Sequence, residues 1–123
     1  MNGLYTLHCK VPIPCSSLIA WGRWMISANR CVARSEIGCL TVSTVFLGVD
    51  HNWFGGAPLL FETMIFDDID DAYQVRCSTW AEAEEMHARA VAIAGQRVRN
   101  ANEKLAEAFS QLGIKEKGDG DAG

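Results

Sequence analysis

Nowhere in the chain do two cysteines stand at C-x-x-C spacing; Cys9, Cys15, Cys31, Cys39 and Cys77 are scattered. That absence excludes a zinc ribbon and a thioredoxin-like redox motif, and an odd, dispersed set reads as reduced thiols acting as small hydrophobes. No apolar run approaches the roughly 18 to 20 residues that cross a bilayer. The stretch from Met1 to Lys10 lacks the basic-then-apolar layout of a secretory signal, so the expectation is an intracellular protein without a membrane partner. Catalytic signatures are missing too: no G-x-S-x-G, H-E-x-x-H, G-x-G-x-x-G or Walker sequence occurs. The aspartate run from Asp67 to Asp71 lacks the glycine and glutamate that an EF-hand loop needs at its sixth and twelfth positions.

What remains is an ordinary globular composition. The 123 residues, 49% hydrophobic and 21% charged, fit one domain around a single core. The net charge of -4 is unevenly placed: four basic and three acidic residues lie before Asp67, and the acidic excess follows. Asp67, Asp68, Asp70, Asp71, Glu82, Glu84 and Glu85 face only Arg76 in that part of the sequence. A surface of this kind repels phosphates and attracts a basic partner.

Two apolar runs on either side of a loop organise the chain, TVSTVFLGVD and LLFETMIF around HNWFGGAP. They read as the two central strands of a sheet, apolar on both faces and so covered twice, by helices or by a partner chain. Before them, Leu4 to Val11 alternates and reads as one edge strand that ends at Pro12 and Pro14. Leu18, Ile19, Trp21, Met25 and Ile26 recur at helical spacing, predicting a helix over 16–29 capped by Ser16 or Ser17, with these residues on its buried face. Arg30 to Ile37 turns at Gly38 into the first central strand, and Tyr73 to Cys77 forms a short strand after the acidic turn.

At Thr79 the period changes. Thr79-Trp80-Ala81-Glu82 is a capping box, and a helical pattern runs from there to Leu112, with Gly113 placed to end it. Within it Val91, Val98, Leu105 and Leu112 recur every seven residues, interleaved with Ala94, Ala101 and Ala108. This is a coiled-coil seam with large residues at one position and alanine at the other. A rod of about 50 Å follows from the helical rise, far longer than the roughly 13 Å radius of gyration of a 100-residue domain. Its second half overhangs, and an exposed seam points to a homodimer. Gly95 is the place where the helix would break instead and fold back as two shorter ones. The expected organisation is therefore a globular unit over 1–94, a helical extension over 95–112 and a disordered tail over 113–123.

The residues able to carry chemistry are few. Asp50 and His51 close a central strand at the loop, where functional side chains are often held. Glu62 interrupts an apolar strand and needs a partner, for which Arg34 is available. Glu84 and His87 have the E-x-x-H spacing of carboxylate metal sites. Together His51, Glu62, Glu84 and His87 make the alternative expectation of a small metal-dependent enzyme or ligand-binding protein. Each also has a plain structural use, as a loop cap, an ion pair or a solvated helix face. The order helix, three strands, helix over 16–112 is shared with double-stranded RNA-binding domains, but those carry basic residues where this chain reads TWAEAEE, which argues against nucleic acid.

The segments STVFLGVDHNWFGGAPLLFETMIF and STWAEAEEMHARAV resemble a group of small proteins from tailed bacteriophages and prophages, whose members carry STVFLGLDH, PLLFETM and TWEEAExGH. The resemblance spans about Trp21 to Val91 and implies a phage or prophage origin and a role in the cytoplasm of the bacterial host. It brings no activity, cofactor or site residue with it. The chain departs from the group in its extension beyond about Ala94 and in its aspartate-rich turn.

The sequence thus predicts an α+β domain, with an antiparallel sheet of about five strands, one packed helix and a long C-terminal helix. The functional expectation favours a phage accessory protein that binds a host or phage protein, such as a component of bacterial defence, without catalysis or a cofactor. Asp67, Asp68, Asp70, Asp71, Glu82 and Glu85 form the expected contact with that partner.

Overall fold

The computed structural model describes residues 3–67 and 73–113; Asp68, Asp70 and Asp71 of the acidic turn, and the expected tail beyond Gly113, lie outside the described residues. Among the described residues the architecture is α+β, with an antiparallel four-stranded sheet, a separate two-stranded hairpin and two helices. The elements are β1 (Tyr5–His8), β2 (Val11–Pro14), α1 (Leu18–Ser27), β3 (Cys31–Ile37), β4 (Leu40–Phe46), β5 (Phe61–Phe66), β6 (Tyr73–Cys77) and α2 (Trp80–Leu112). The main sheet runs β3-β4-β5-β6, which makes the two apolar runs its centre.

The expected first strand is in fact a hairpin. Cys9 and Lys10 both have positive φ (51° and 70°) and turn the chain between β1 and β2. A two-residue turn of this hand normally recruits Asn-Gly or Asp-Gly; Cys-Lys gives no such signal, so the sequence reads straight through it. Leu4 also bridges to Val49, and the Tyr5 amide donates to the Gly48 carbonyl at 2.8 Å, which ties the hairpin to the end of β4.

In β4 and β5 every second residue is buried under α2: Leu40, Val42, Thr44 and Phe46 on one strand, Phe61, Thr63 and Ile65 on the other. The opposite face carries Thr41, Ser43 and Val45 beside Glu62, Met64 and Phe66, all half-buried. Among the described residues helical cover lies on one face only, where the sequence leads one to expect two. The apolar residues of the second face stand in cross-strand rows with polar ones, Val45 with Glu62 and Met64 with Ser43 and Gln74, and so need no second layer.

α2 is one uninterrupted helix of 33 residues, so it does not break at Gly95. Thr79 accepts from the Glu82 amide while the Glu82 carboxylate accepts from the Thr79 amide, completing the capping box, and Gly113 closes the helix with φ of 77°. Alanines at 83, 90 and 94 have no exposed surface and let the helix axis lie close to the sheet. Val98 is the last seam residue packed against the core, beside Leu40 and over the Gly38 turn.

α1 is capped by Ser17, whose hydroxyl accepts from the Ala20 amide at 3.1 Å. Its inner face holds Trp21, which donates to the Gly48 carbonyl at 3.0 Å, and Trp24, which meets Phe46 edge-on at 5.8 Å. The outer face corrects the sequence reading: Leu18, Ile19 and Ile26 are exposed, Ile26 at 87%, and no residue of α1 is fully buried. An apolar periodicity marks a helix but cannot tell which side of it the fold covers.

Candidate functional site

A band of polar groups divides the core. On one side Leu40, Val42 and Ile65 pack with Ala90 and Ala94; on the other Phe46, Leu60 and Phe61 pack with Ala83. Between them Thr44 and Thr63, directly paired in the β4-β5 register, join hydroxyls at 2.5 Å, and Thr44 also meets His87 Nδ1 at 2.7 Å. The other ring nitrogen, Nε2, lies 2.9 Å from the Ser35 hydroxyl on β3. Burial pushes the imidazole below its ordinary pKa, so the ring is neutral at pH 7. A hydroxyl on each nitrogen of a histidine resembles the opening of a nucleophile-base pair. Here the Nδ1 partner is a threonine rather than a carboxylate, and the ring is buried beneath its own helix. The band therefore fixes the register of α2 against three strands.

Ser35, Thr44 and Thr63 are absent from the sequence-based candidates. Their signal was legible: threonine occupies the inward position of both central strands, between apolar residues two positions away on either side. Such a pair requires a polar partner from whatever covers it.

The four residues of the metal alternative are not brought together. His87 faces the sheet and is engaged at both nitrogens, whereas Glu84, three residues earlier, is exposed. Glu62 projects from the opposite face of β5 to Thr63. His51 stays in the loop, its Nδ1 2.8 Å from the Val49 carbonyl. Among the described residues no group of three or more histidine, cysteine or acidic side chains could hold a metal ion.

Glu62 pairs with Arg76 rather than with Arg34. One carboxylate oxygen receives both Arg76 Nε and the terminal nitrogen at 2.9 Å, and Gln74 donates to the same oxygen at 2.8 Å. Arg34 meets Glu36 instead, at 3.5 Å and well exposed. Strand alternation decides this, because Arg76 stands opposite Glu62 in the β5-β6 register. Asp50 serves the loop, accepting from the Asn52 and Leu59 amides at 2.8 and 2.9 Å.

Two kinds of surface remain among the described residues, clefts beside the sheet and the far end of α2. One cleft, of about 280 Å³, lies between β6 and the start of α2 and is lined by Val75, Cys77, Glu82, Glu85, Met86 and Arg89. Its charges are mixed, and Glu82 is occupied by the capping box. The Cys77 thiol there is pushed up to about 11 by burial and by the nearby Glu82 charge, which leaves it unreactive. Asp67 lies apart, in a second cleft of about 280 Å³ at the point where α2 leaves the sheet, with Cys39, Leu40, Arg97, Val98 and Ala101.

The second surface is the far end of α2. Of the seven seam residues, Ala94 is buried and Val91 and Val98 pack on the core, so these three are occupied by the chain's own sheet. Ala101, Leu105, Ala108 and Leu112 continue the same helical face beyond it, with Leu105 51% and Leu112 72% exposed. No protein-family model, curated protein or solved structure matches the chain.

Proposed function

We propose that this is a phage or prophage accessory protein that acts in the cytoplasm of the bacterial host by binding another protein, without catalysis. One observation carries the reading: α2 projects about four turns past the sheet and presents an apolar stripe there. Exposed leucines in line on a rigid helix are the form in which helical contacts between proteins are made. The exposed Glu84 and Glu85 at the other end of α2 offer a separate contact of opposite character, suited to a basic surface on the partner. A component of bacterial defence is one class of partner for a protein of this origin.

Affinity capture from infected or lysogenic cells tests the proposal, using the wild type, a stripe variant (Leu105→Asp with Leu112→Asp) and an acidic-face variant (Glu84→Lys with Glu85→Lys). The expected result is a host or phage protein held by the wild type and lost by at least one variant. A wild type that retains nothing the variants fail to retain overturns the reading.

A further inference from the structure

We infer that the projecting half of α2 is covered by the same segment of a second copy running antiparallel to it, with Ala101 opposite Leu112 of the other copy and Leu105 opposite Ala108. This rests on the reading of α2 as a protein-binding helix, assigns its stripe to a second copy, and leaves the exposed Glu84 and Glu85 at the other end of α2 for a different partner.

Direction follows from the packing of the first half. The face that bears the stripe is filled by the chain's own sheet as far as Val98. A parallel partner helix laid on that face would have to continue back alongside residues 80–98, through the space the sheet occupies. An antiparallel partner ends where the sheet begins and places its own globular part beyond the free tip. Only the antiparallel arrangement lets both copies keep their folds.

Register follows from the side chains. The exposed stripe alternates small and large, Ala101, Leu105, Ala108, Leu112. Antiparallel pairing in the stated register sets every leucine against an alanine and leaves no stripe residue unmatched, the complementarity that close helix packing requires. A shift of one turn either way sets a stripe residue opposite Val98, which already packs on the core, or past the helix end.

Two independent features fit that register. The cleft lined by Cys39, Leu40, Asp67, Arg97, Val98 and Ala101 opens where the stripe meets the sheet, so it is the place where Leu112 of the second copy arrives. The last turn of α2 contains no basic residue, and its negative end is uncompensated within the helix. In the antiparallel pair that end lies within a turn of Arg97 and Arg99 of the other copy. The paired segments run about 20 Å, which places the contact below the roughly 1,200 Å² of stable complexes and makes it a concentration-dependent equilibrium.

Sedimentation velocity over a concentration series, together with cysteine cross-linking mapped by mass spectrometry, tests the inference on the full chain. The wild type is expected to pass from monomer to dimer with rising concentration, and Leu105→Asp to remain monomeric at every concentration. A mixture of Leu105→Cys and Ala108→Cys chains should form the mixed disulfide in preference to either homodisulfide. Leu112→Cys should cross-link to Cys39 of the other copy, and lose that product when Cys39→Ser is added. Homodisulfides at 105 and 112 with no link to Cys39 overturn the antiparallel register. A wild type that stays monomeric at its highest soluble concentration overturns self-association altogether; if the stripe variant still loses a captured protein, the broader binding reading survives that result.

Discussion

His87 Nδ1 lies 2.7 Å from the Thr44 hydroxyl, so a titratable ring on α2 is fastened to a central strand of the sheet. Both partners of the ring are neutral hydroxyls, and among the described residues burial, not a neighbouring charge, sets its affinity for a proton. Arg34 and Glu36 on β3, Glu62 on β5 and Arg76 on β6 project from the other face of the sheet, and Glu84 and Glu85 on α2 are exposed. Desolvation holds the folded-state pKa below the ordinary 6.5, so the unfolded chain takes up the proton first. Stability from this group is therefore complete above about pH 6.5 and is lost as the pH falls below it. The denaturation midpoint should be level from about pH 8 to 7 and decline toward pH 5. His87→Gln should remove part of that decline, and identical slopes for the two proteins would show that the ring is not the group responsible.

Loss of the band itself is a separate matter from its titration. His87→Leu takes the only polar partner that α2 offers to Thr44 and Ser35, while Thr44 and Thr63 keep each other. A cost of about 1 to 3 kcal/mol in urea denaturation is expected. A variant as stable as the wild type would mean that the band contributes specificity of register and nothing to stability.

Gly95 shows how far the sequence could be read and where it stopped. Capping box, length and glycine end of α2 were all legible, because helix ends are set by local chemistry at Thr79, Glu82 and Gly113. The central strands and the Gly38 turn were legible for the same kind of reason. The helical pattern runs on through Gly95 as the structure does, with the glycine alone speaking for a break there; the direction in which α1 faces depends on what packs against it, which no local pattern records. The partner of Glu62 was missed because it is set by pairing with a strand beyond the acidic turn. Of the polar band, the inward threonines are legible in the strand pattern, but their partners are not, because its four residues come from four elements and meet only after the sheet is assembled.

Since the helix is continuous at Gly95, alanine should suit it better there. A Cβ at that position meets only the flexible end of Arg99, at 3.6 Å, and no positive φ is required. Gly95→Ala is expected to stabilise the protein by about 0.5 to 1 kcal/mol, read as a higher denaturant midpoint with an unchanged slope. A destabilised variant would place a bend at this residue.

The opposite outcome is expected at Gly48, whose φ of 80° favours glycine and whose Cβ would stand 2.8 Å from the Met25 sulfur. Met25 can move, but the backbone conformation cannot be relieved in the same way. Gly48→Ala should cost about 1 to 3 kcal/mol and, by pushing on α1, weaken the bond from Trp21 to the Gly48 carbonyl. A shift in tryptophan fluorescence should accompany the loss. A variant with wild-type stability would show that this turn is free to adopt another conformation.

The two faces of α1 make the sharpest contrast between periodicity and burial. Trp24 stands edge-on against Phe46, a fully buried residue at the heart of one half of the core, so Trp24→Ala should cost about 3 kcal/mol or more. Two residues along, Ile26 is 87% exposed, and Ile26→Gln should change stability by about 0.5 kcal/mol or less. Both are large apolar residues in one short helix, and a reading by hydrophobicity alone would rank them together. Trp24 is anchored because α1 is held down through Trp21 at Gly48, which turns Trp24 inward and leaves Leu18, Ile19 and Ile26 outward. Parallel urea titrations of the two variants decide the matter: a cost of several kcal/mol at Ile26 would mean that the outer face of α1 is covered in solution.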